Sequence, residues 1–198
     1  MRFVFKKHIK KSDNINLKKY SLYITYVEED KRAAGGSTIL VRDNILHSYA
    51  NLNTHQQAVA VRITLDKTIT LCSVYIPPIS ALRLAQLKHL SDQLPTPFII
   101  MGDFNGHDPL WGSTTTTDKG KKLKDFLSQE GSCIFNDGTD TYLHPGNGSY
   151  PAVDLTVTGP SPLLDFSWNV PDDLCGSEHY PIILESLNST LGERPTRY

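Results

Sequence analysis

The segment IIMGDFNGHDPLWGS (residues 99–113) constrains the fold of this chain most strongly. An apolar run ends at Met101, and Asp103 and Asn105 follow it two positions apart. In an extended strand, residues i and i+2 point to the same face. The two polar side chains therefore project together from the carboxyl end of a buried strand, where α/β sheets place their chemistry. This pattern predicts the start of a metal or phosphate site.

Length and composition predict a single intracellular domain that spans residues 1–198. With 39% hydrophobic residues the chain can bury a core, and no stretch approaches the run of about 18 apolar residues that crosses a membrane. The start, MRFVFKKHIKK, lacks the apolar centre of a signal peptide. Three well-separated cysteines, Cys72, Cys133 and Cys175, favour reduced thiols. We therefore expect a nuclear or cytoplasmic protein without membrane contact.

The charge distribution leaves two interpretations open. The net charge of −1 does not indicate nucleic-acid binding. Two basic clusters stand out, one within residues 1–19 and one formed by Lys119, Lys121, Lys122 and Lys124. Such clusters can follow phosphates. Each can equally be a solvated helix face or a frayed terminus.

The hydrophobic periodicity predicts a mixed α/β chain. We expect a turn and strand over 35–45, and a β-hairpin that turns at Asp66-Lys67. A leucine stripe predicts a helix from Ser80 to Leu94, and a second helix is expected over 119–130. Further strands are expected in the segments FIIMGDF, CIFND, AVDLTVTG and YPIILESL. Since strands outnumber helices, and hairpins mix with crossovers, mixed sheets are expected.

Polar residues end several of these strands, and together they suggest one chemistry. Besides Asp103 and Asn105, they are Tyr75 in CSVYIPP, Asp154 in AVDLTV, and Ser177, Glu178 and His179 in GSEHYPI. Each alone has an ordinary structural explanation, such as a packed ring, a turn or a loop cap. Together they supply carboxylates for Mg²⁺, a histidine for proton transfer or charge stabilisation, and donors for a phosphate. Those are the parts of metal-assisted phosphodiester hydrolysis.

Five segments in register carry a family resemblance that runs from about Ser12 to Leu187. They are AAGGSTILVRDNI, SVYIPP, PFIIMGDFNGHDPLWGS, GKKLKDFLSQEGSCIFNDGTDTYLHPGNGSYPAVDLTVTGPSP and DDLCGSEHYPI. They resemble the endonuclease/exonuclease/phosphatase superfamily, and more narrowly the apurinic-type endonuclease domain of jockey-like non-LTR retrotransposons. The resemblance implies a four-layer sandwich of two packed mixed β-sheets flanked by helices. It also implies a Mg²⁺-dependent DNA endonuclease that nicks one strand and accompanies a reverse transcriptase.

The resemblance assigns roles to the residues that end the first two strands. Asp103 would orient or deprotonate the attacking water, and Asn105 would hold the scissile phosphate. Tyr75 would donate a hydrogen bond to that phosphate or stabilise the departing oxygen.

The remaining roles fall in the second half of the chain. Asp154 would help to position the phosphate and His179, and His179 would stabilise negative charge on the phosphate. The neighbouring Glu178 would hold the imidazole in one tautomer. The substrate-binding positions implied by the family lie near bound DNA, at Thr141, Asn147 and Ser177, with the hairpin over 144–151 set against the groove.

Two departures from the family pattern bear on activity. The glutamate that ligates the metal in the family aligns with Lys6, whose ammonium group would repel a cation, which leaves Asp103 and Glu178 as candidate ligands. Glu178 stands where the family has aspartate and is one methylene longer. The family's first strand would precede Met1. We therefore expect a truncated copy with weakened Mg²⁺ or Mn²⁺ binding and impaired nicking.

Two alternatives remain open. The chain could be a catalytically inactive remnant that binds nucleic acid or protein. It could also be a phosphatase that acts on small phosphates or inositol lipids, although the motifs fit this alternative less well. DNA is the expected partner, and no obligate protein partner is expected.

Overall fold

The computed structural model describes residues 17–25, 36–146, 148–149, 151–159 and 165–187. Their strands are β1 (Tyr20–Thr25), β2 (Ser37–Arg42), β3 (Leu46–Ala50), β4 (Gln57–Thr64), β5 (Thr68–Tyr75), β6 (Phe98–Asp103), β7 (Cys133–Ile134), β8 (Asp154–Thr158), β9 (Phe166–Asn169) and β10 (Ile183–Ser186). The helices are α1 (Leu84–Ser91) and α2 (Asp118–Glu130), and a 3₁₀ turn covers Pro109–Trp111. No helix in these ranges is long and apolar enough to cross a membrane.

A six-stranded mixed sheet forms the centre of the fold, in the order β3-β4-β5-β6-β8-β7. Strands β5 and β6 are parallel, and the other neighbours are antiparallel. The hairpin predicted at Asp66-Lys67 joins β4 to β5, with Thr64 opposite Thr68. The parallel pair needs a crossover, and α1 lies within it.

Apolar side chains cover both faces of the central sheet. On one face, Ile100 belongs to a buried cluster with residues of both helices, among them Leu90 and Phe126. On the other face, Ile99 and Met101 pack with residues of β2 and β10. In the described residues this second layer consists of two antiparallel pairs, β1–β2 and β9–β10. The predicted α/β sandwich with mixed strand pairing is confirmed.

Helix α1 is shorter than the leucine stripe suggested. The prediction began it at Ser80, but it begins at Leu84 because the chain first turns after the two prolines: the Ser80 N–H and hydroxyl both donate to the Pro77 carbonyl. Arg83 is still extended, as an N-cap residue is. Leu94 is buried beyond the helix end. The apolar stripe in the sequence is therefore longer than helix α1.

Strands β1, β3 and β9 were not predicted. Their side chains are largely half-buried or exposed, so their sequences lack the continuous apolar runs of the central strands. Conversely, the segment CIFND forms a strand only over Cys133–Ile134.

Gly102 allows β5 and β6 to approach at the end of the central sheet. A Cβ atom added at Gly102 would lie 1.8 Å from the carbonyl oxygen of Val74, its partner in the ladder. Its φ of +154° is also one that side chains disfavour. Only glycine fits at this point, directly before Asp103.

We expect Gly102→Ala to lower the free energy of unfolding by about 3 kcal/mol or more, because backbone atoms cannot rotate away as a side chain can. Urea denaturation measures the change. Gly159→Ala is the matched control, since a Cβ there would meet nothing within 4 Å. Equal unfolding midpoints for the two variants would contradict the close approach.

Candidate functional site

Three of the predicted residues form a row across adjacent strands. Asp103 lies opposite Tyr75 in the parallel pair β5–β6 and opposite Asp154 in the antiparallel pair β6–β8. Partners in a ladder point to the same face, and neighbouring strands are about 4.8 Å apart. Both carboxylates are buried. The strand register alone therefore brings together residues that are far apart in the sequence.

His179 is joined to this row by a short hydrogen bond. Its Nδ1 lies 2.7 Å from Oδ2 of Asp154. One ligand atom from each of Asp103, Asp154 and His179 fits within 4.8 Å of the others. These three residues can thus act on one phosphate or hold one ion.

A short stretch of strand pairing holds His179 in place. His179 forms an antiparallel bridge with Tyr142, and its ring centroid lies 4.6 Å from that of Tyr142. The Leu143 N–H donates to the Glu178 carbonyl over 2.8 Å. The Ser177 hydroxyl oxygen accepts from the His179 N–H over 3.1 Å. The residues before His179 therefore serve its placement through their backbone and through Ser177.

Two buried side chains fix the backbone of Asp154. The Thr141 hydroxyl oxygen accepts from the N–H groups of Val153 and Asp154, over 3.0 and 2.9 Å. The Asn136 amide donates to the Asp154 carbonyl and accepts from the Thr156 N–H, each over 2.9 Å. Asn136 thereby continues the ladder where β7 stops, because its amide resembles a peptide group.

The position of Thr141 in the structure differs from the position that was expected for it. The resemblance implied a substrate-binding position, and the structure places Thr141 beneath the site with 0% exposure. Asn136 was missed by the sequence analysis. The only signal for it was a polar residue that interrupts the apolar start of CIFND.

Asn105 has the left-handed conformation, with φ of +47°, which asparagine tolerates better than most residues. Its N–H donates to Oδ1 of Asp103 over 3.0 Å, and its side-chain nitrogen donates to the Ile76 carbonyl over 3.1 Å. An amide NH₂ group has two hydrogens, so one remains for a substrate oxygen. The turn thus aims Asn105 into the same space as the row.

A cleft of about 610 Å³ opens beside the row, and the buried Asp103 and Asp154 are not among the residues that line it. It is lined by Tyr75, Asn105 and His179 from the predicted set, and by Pro78, His107, Gly112, Ser113, Thr114, Thr115, Tyr142, His144, Ser149, Pro151 and Val153. Ser177 and Glu178 are exposed and do not line the cleft. Among the described residues, Glu178 is not part of the group formed by Asp103, Asp154 and His179. Lys6 and Asn147 lie outside the described residues.

The motif GHDPLWGS builds one wall of the cleft. Asp108 is buried and accepts from the Leu110 N–H and the Thr116 hydroxyl, each over 3.0 Å. The Trp111 indole N–H donates to the Gly106 carbonyl over 3.0 Å. Asp108 and Trp111 therefore serve the loop itself, whereas His107, Gly112 and Ser113 of this motif line the cleft.

Burial lowers the pKa of His107 from its ordinary value, and the charge of Asp103 opposes this in part. The neutral imidazole is thus favoured on this wall of the cleft. His107 was not singled out from the sequence.

A sequence model of the family described as "Endonuclease-reverse transcriptase" matches residues 69–183, which is more than half of the chain. The chain belongs to this family. The predicted resemblance to the endonuclease/exonuclease/phosphatase superfamily, and within it to the endonuclease domains of non-LTR elements, is confirmed.

Curated relatives in this family are much longer proteins. The chain is 28% identical over 142 residues to the RNA-directed DNA polymerase from mobile element jockey of Drosophila funebris, covering 70% of this chain and 15% of the relative. It is 25% identical over 195 residues to the jockey protein of Drosophila melanogaster, covering 96% of this chain and 21% of the relative. The chain thus spans about a fifth or less of these relatives.

Solved structures share the fold. The endonuclease domain of TRAS1, a telomere-specific non-LTR retrotransposon, superposes with a TM-score of 0.74 at 23% identity, covering 85% of this chain and 78% of that domain. The 3′-5′ exonuclease NExo from Neisseria meningitidis gives a TM-score of 0.61 at 13% identity, covering 85% of this chain and 80% of that one. The α/β sandwich is therefore one that nucleases use.

Thr141→Val is expected to destabilise the protein by at least about 2 kcal/mol, since it keeps the side-chain shape but leaves two buried N–H groups without an acceptor. Urea denaturation checks this. Thr141→Ser, which keeps the oxygen, is the control. The support role is wrong if the valine variant unfolds at the same urea concentration as the serine variant.

We expect NMR titration in the presence of EDTA to give His107 a pKa below 6.5, its ordinary value, and Asp103→Asn to lower that pKa further. The folded state then binds this proton less readily than the unfolded state. The resulting stabilisation is present above the unfolded pKa and is lost as the pH falls through the folded one. A His107 pKa that rises on Asp103→Asn would contradict the geometry.

Proposed function

We propose that this chain is a Mg²⁺-dependent DNA endonuclease that hydrolyses one strand of a duplex and leaves a 3′-hydroxyl group. The observation that carries the proposal is the Asp154–His179 pair, 2.7 Å apart, beside the buried carboxylate of Asp103. Membership in the endonuclease–reverse transcriptase family supports it. So does the fold shared with the TRAS1 endonuclease domain.

The side chains at the row suit a hard divalent ion. Mg²⁺ and Mn²⁺ take oxygen ligands, often one or two carboxylates with several waters. Asp103 and Asp154 offer such oxygens within 4.8 Å of each other, so these two residues would hold the ion. A bound ion would draw electron density from the phosphate and stabilise charge on the departing oxygen.

Asp103 and His179 divide the chemical work in this proposal. Asp103 accepts the proton of a water molecule and orients that water toward the phosphorus. Since Nδ1 of His179 is engaged by Asp154, the contact with the phosphate falls to Nε2. That nitrogen donates to a phosphate oxygen as negative charge develops there. The water oxygen bonds to phosphorus, the bond from phosphorus to the 3′ oxygen breaks, and the released 3′ oxygen takes a proton from solvent water to become the 3′-hydroxyl.

Tyr75 and Asn105 hold the phosphate while this occurs. Both line the cleft, one from the end of β5 and the other from the turn after β6. The second N–H of the Asn105 amide donates to a phosphate oxygen, and the Tyr75 phenol donates to the same phosphate or to the departing oxygen.

The proposal includes limits on activity that follow from the family alignment. Lys6 stands at the family's metal-binding glutamate, so we propose weak metal binding and slow nicking. DNA is the partner, no protein partner is required, and the nucleus or cytoplasm is the location in which the chain acts. Asn147 and Ser177 are proposed to bind DNA, and Thr141 supports this side of the site from the interior. The Asp154 carboxylate, in place of Glu178, is proposed to hold the His179 imidazole in one tautomer.

Supercoiled plasmid incubated with the purified 198-residue chain at millimolar Mg²⁺ is expected to become nicked, but slowly. Asp103→Asn and His179→Ala should each reduce the rate by about a hundredfold to a thousandfold, because each removes a group that acts in the transition state. Conversion from supercoiled to open-circular DNA, followed on gels, measures the rate. His55→Ala is the matched control, since this histidine lies outside the cleft.

Three other results separate the alternatives. Nicking that is equal in all variants would overturn the proposal. DNA binding without nicking, unaffected by Lys6→Glu, would favour an inactive remnant. Release of phosphate from small phosphate esters without nicking would favour a phosphatase. Faster nicking by Lys6→Glu than by the unmodified chain would support the proposed loss of metal affinity.

A further inference from the structure

Helix α2 begins with a buried lysine. Lys119 has 8% exposure, whereas Lys121 and Lys124 on the same helix are exposed. Lysine is seldom buried unless its ammonium group has partners. The interpretation of this basic cluster as a solvated helix face is therefore wrong for Lys119.

The partners of Lys119 belong to the segment that follows Tyr75. Its Nζ donates to the Pro77 carbonyl and, over 2.9 Å, to the Pro78 carbonyl. The same segment is tied to the end of β6, because the Ile76 N–H donates to the Asp103 carbonyl over 2.9 Å. Residues 76–78 are therefore held between α2 and the catalytic end of β6.

The start of α2 is itself fixed against the loop after β6. A Cβ added at Gly120 would lie 1.8 Å from the His107 carbonyl oxygen. The Thr117 hydroxyl oxygen accepts from the N–H groups of His107 and Gly120. These contacts hold the backbone around Lys119 in a fixed position relative to the loop after β6.

The ammonium group also lies close enough to Asp103 for their charges to interact. Burial lowers the pKa of Lys119, and the Asp103 carboxylate opposes that shift. The lysine is a fixed positive neighbour of the residue that is proposed to orient water.

We propose that Lys119 is a positioning residue for the hydrolysis: it holds residues 76–78, and through them Tyr75, in place relative to Asp103. This inference rests on the proposed nuclease function. It assigns to Lys119 no direct contact with DNA. A misplacement of about 1 Å in a catalytic group can cost about a hundredfold in rate. Loss of the Lys119 hydrogen bonds to Pro77 and Pro78 can therefore lower the rate of hydrolysis.

Steady-state nicking by the full chain is compared for Lys119→Met and Lys121→Met. The two substitutions remove the same charge from the same helix, but only the first removes the bonds to Pro77 and Pro78. We expect Lys119→Met to lower kcat tenfold to a hundredfold with KM within twofold, and Lys121→Met to leave kcat unchanged. Lys119→Gln, which keeps donor hydrogens, should give an intermediate kcat.

The salt dependence of DNA binding distinguishes positioning from phosphate contact. Each lost phosphate contact reduces the slope of log K against log salt concentration by about 0.9. We expect the slope of Lys119→Met to equal that of the unmodified chain. A reduced slope with raised KM and normal kcat would overturn the proposal in favour of a DNA contact, and a kcat equal to that of Lys121→Met would also overturn it.

Amide hydrogen exchange keeps the inference testable independently of nicking. The N–H groups of Ile76 and Ser80 lie in or beside the held segment and are bonded to the Asp103 and Pro77 carbonyls. If the unmodified chain shows no Asp103-dependent nicking, the proposed function fails. The contact itself is then judged by exchange: faster exchange at these amides in Lys119→Met than in Lys121→Met supports it, and equal exchange overturns it.

Discussion

The register of β6 with its two neighbours is the constraint on which the rest of the site depends. Because side chains alternate along a strand, a slip of one residue would turn Asp103 toward the helices and bring Gly102 to the other face. The ladder partners Tyr75 and Asp154 would lose their common row. The close contact between Gly102 and Val74 opposes such a slip, since no other residue could occupy that point.

Support for the histidine side of the cleft comes mainly from side chains that replace strand pairing. Strand β7 is only two residues long, and Asn136 and Thr141 supply the hydrogen bonds that a longer strand would have supplied to β8. The buried Asp154 carboxylate is compensated by the His179 ring. Burying such a charge without a partner would be costly. Backbone hydrogen bonds and the Asp154–His179 hydrogen bond therefore hold the same part of the site.

Sequence patterns predicted the elements that depend on local alternation and apolar runs. They did not predict the features that depend on contacts between residues far apart in the sequence. The hairpin at Asp66-Lys67 and the buried strand before Asp103 follow from alternation and apolar runs. The family resemblance supplied the candidate residues, but it gave no means of distinguishing the buried Thr141 from the exposed Ser177. The burial of Lys119 could not be foreseen, because its partners are two backbone carbonyls some forty positions away.

The scattered origin of the site has a consequence for biosynthesis. Its side chains come from β5, β6, β8 and the turn before β10, so no contiguous fragment shorter than Tyr75 to His179 contains all of them. Contacts between distant parts of a chain form slowly compared with local ones. A nascent chain that has folded β3 to β6 would present Asp103 without His179. The candidate site would therefore be incomplete in such a chain until His179 has been synthesised and placed beside Asp154.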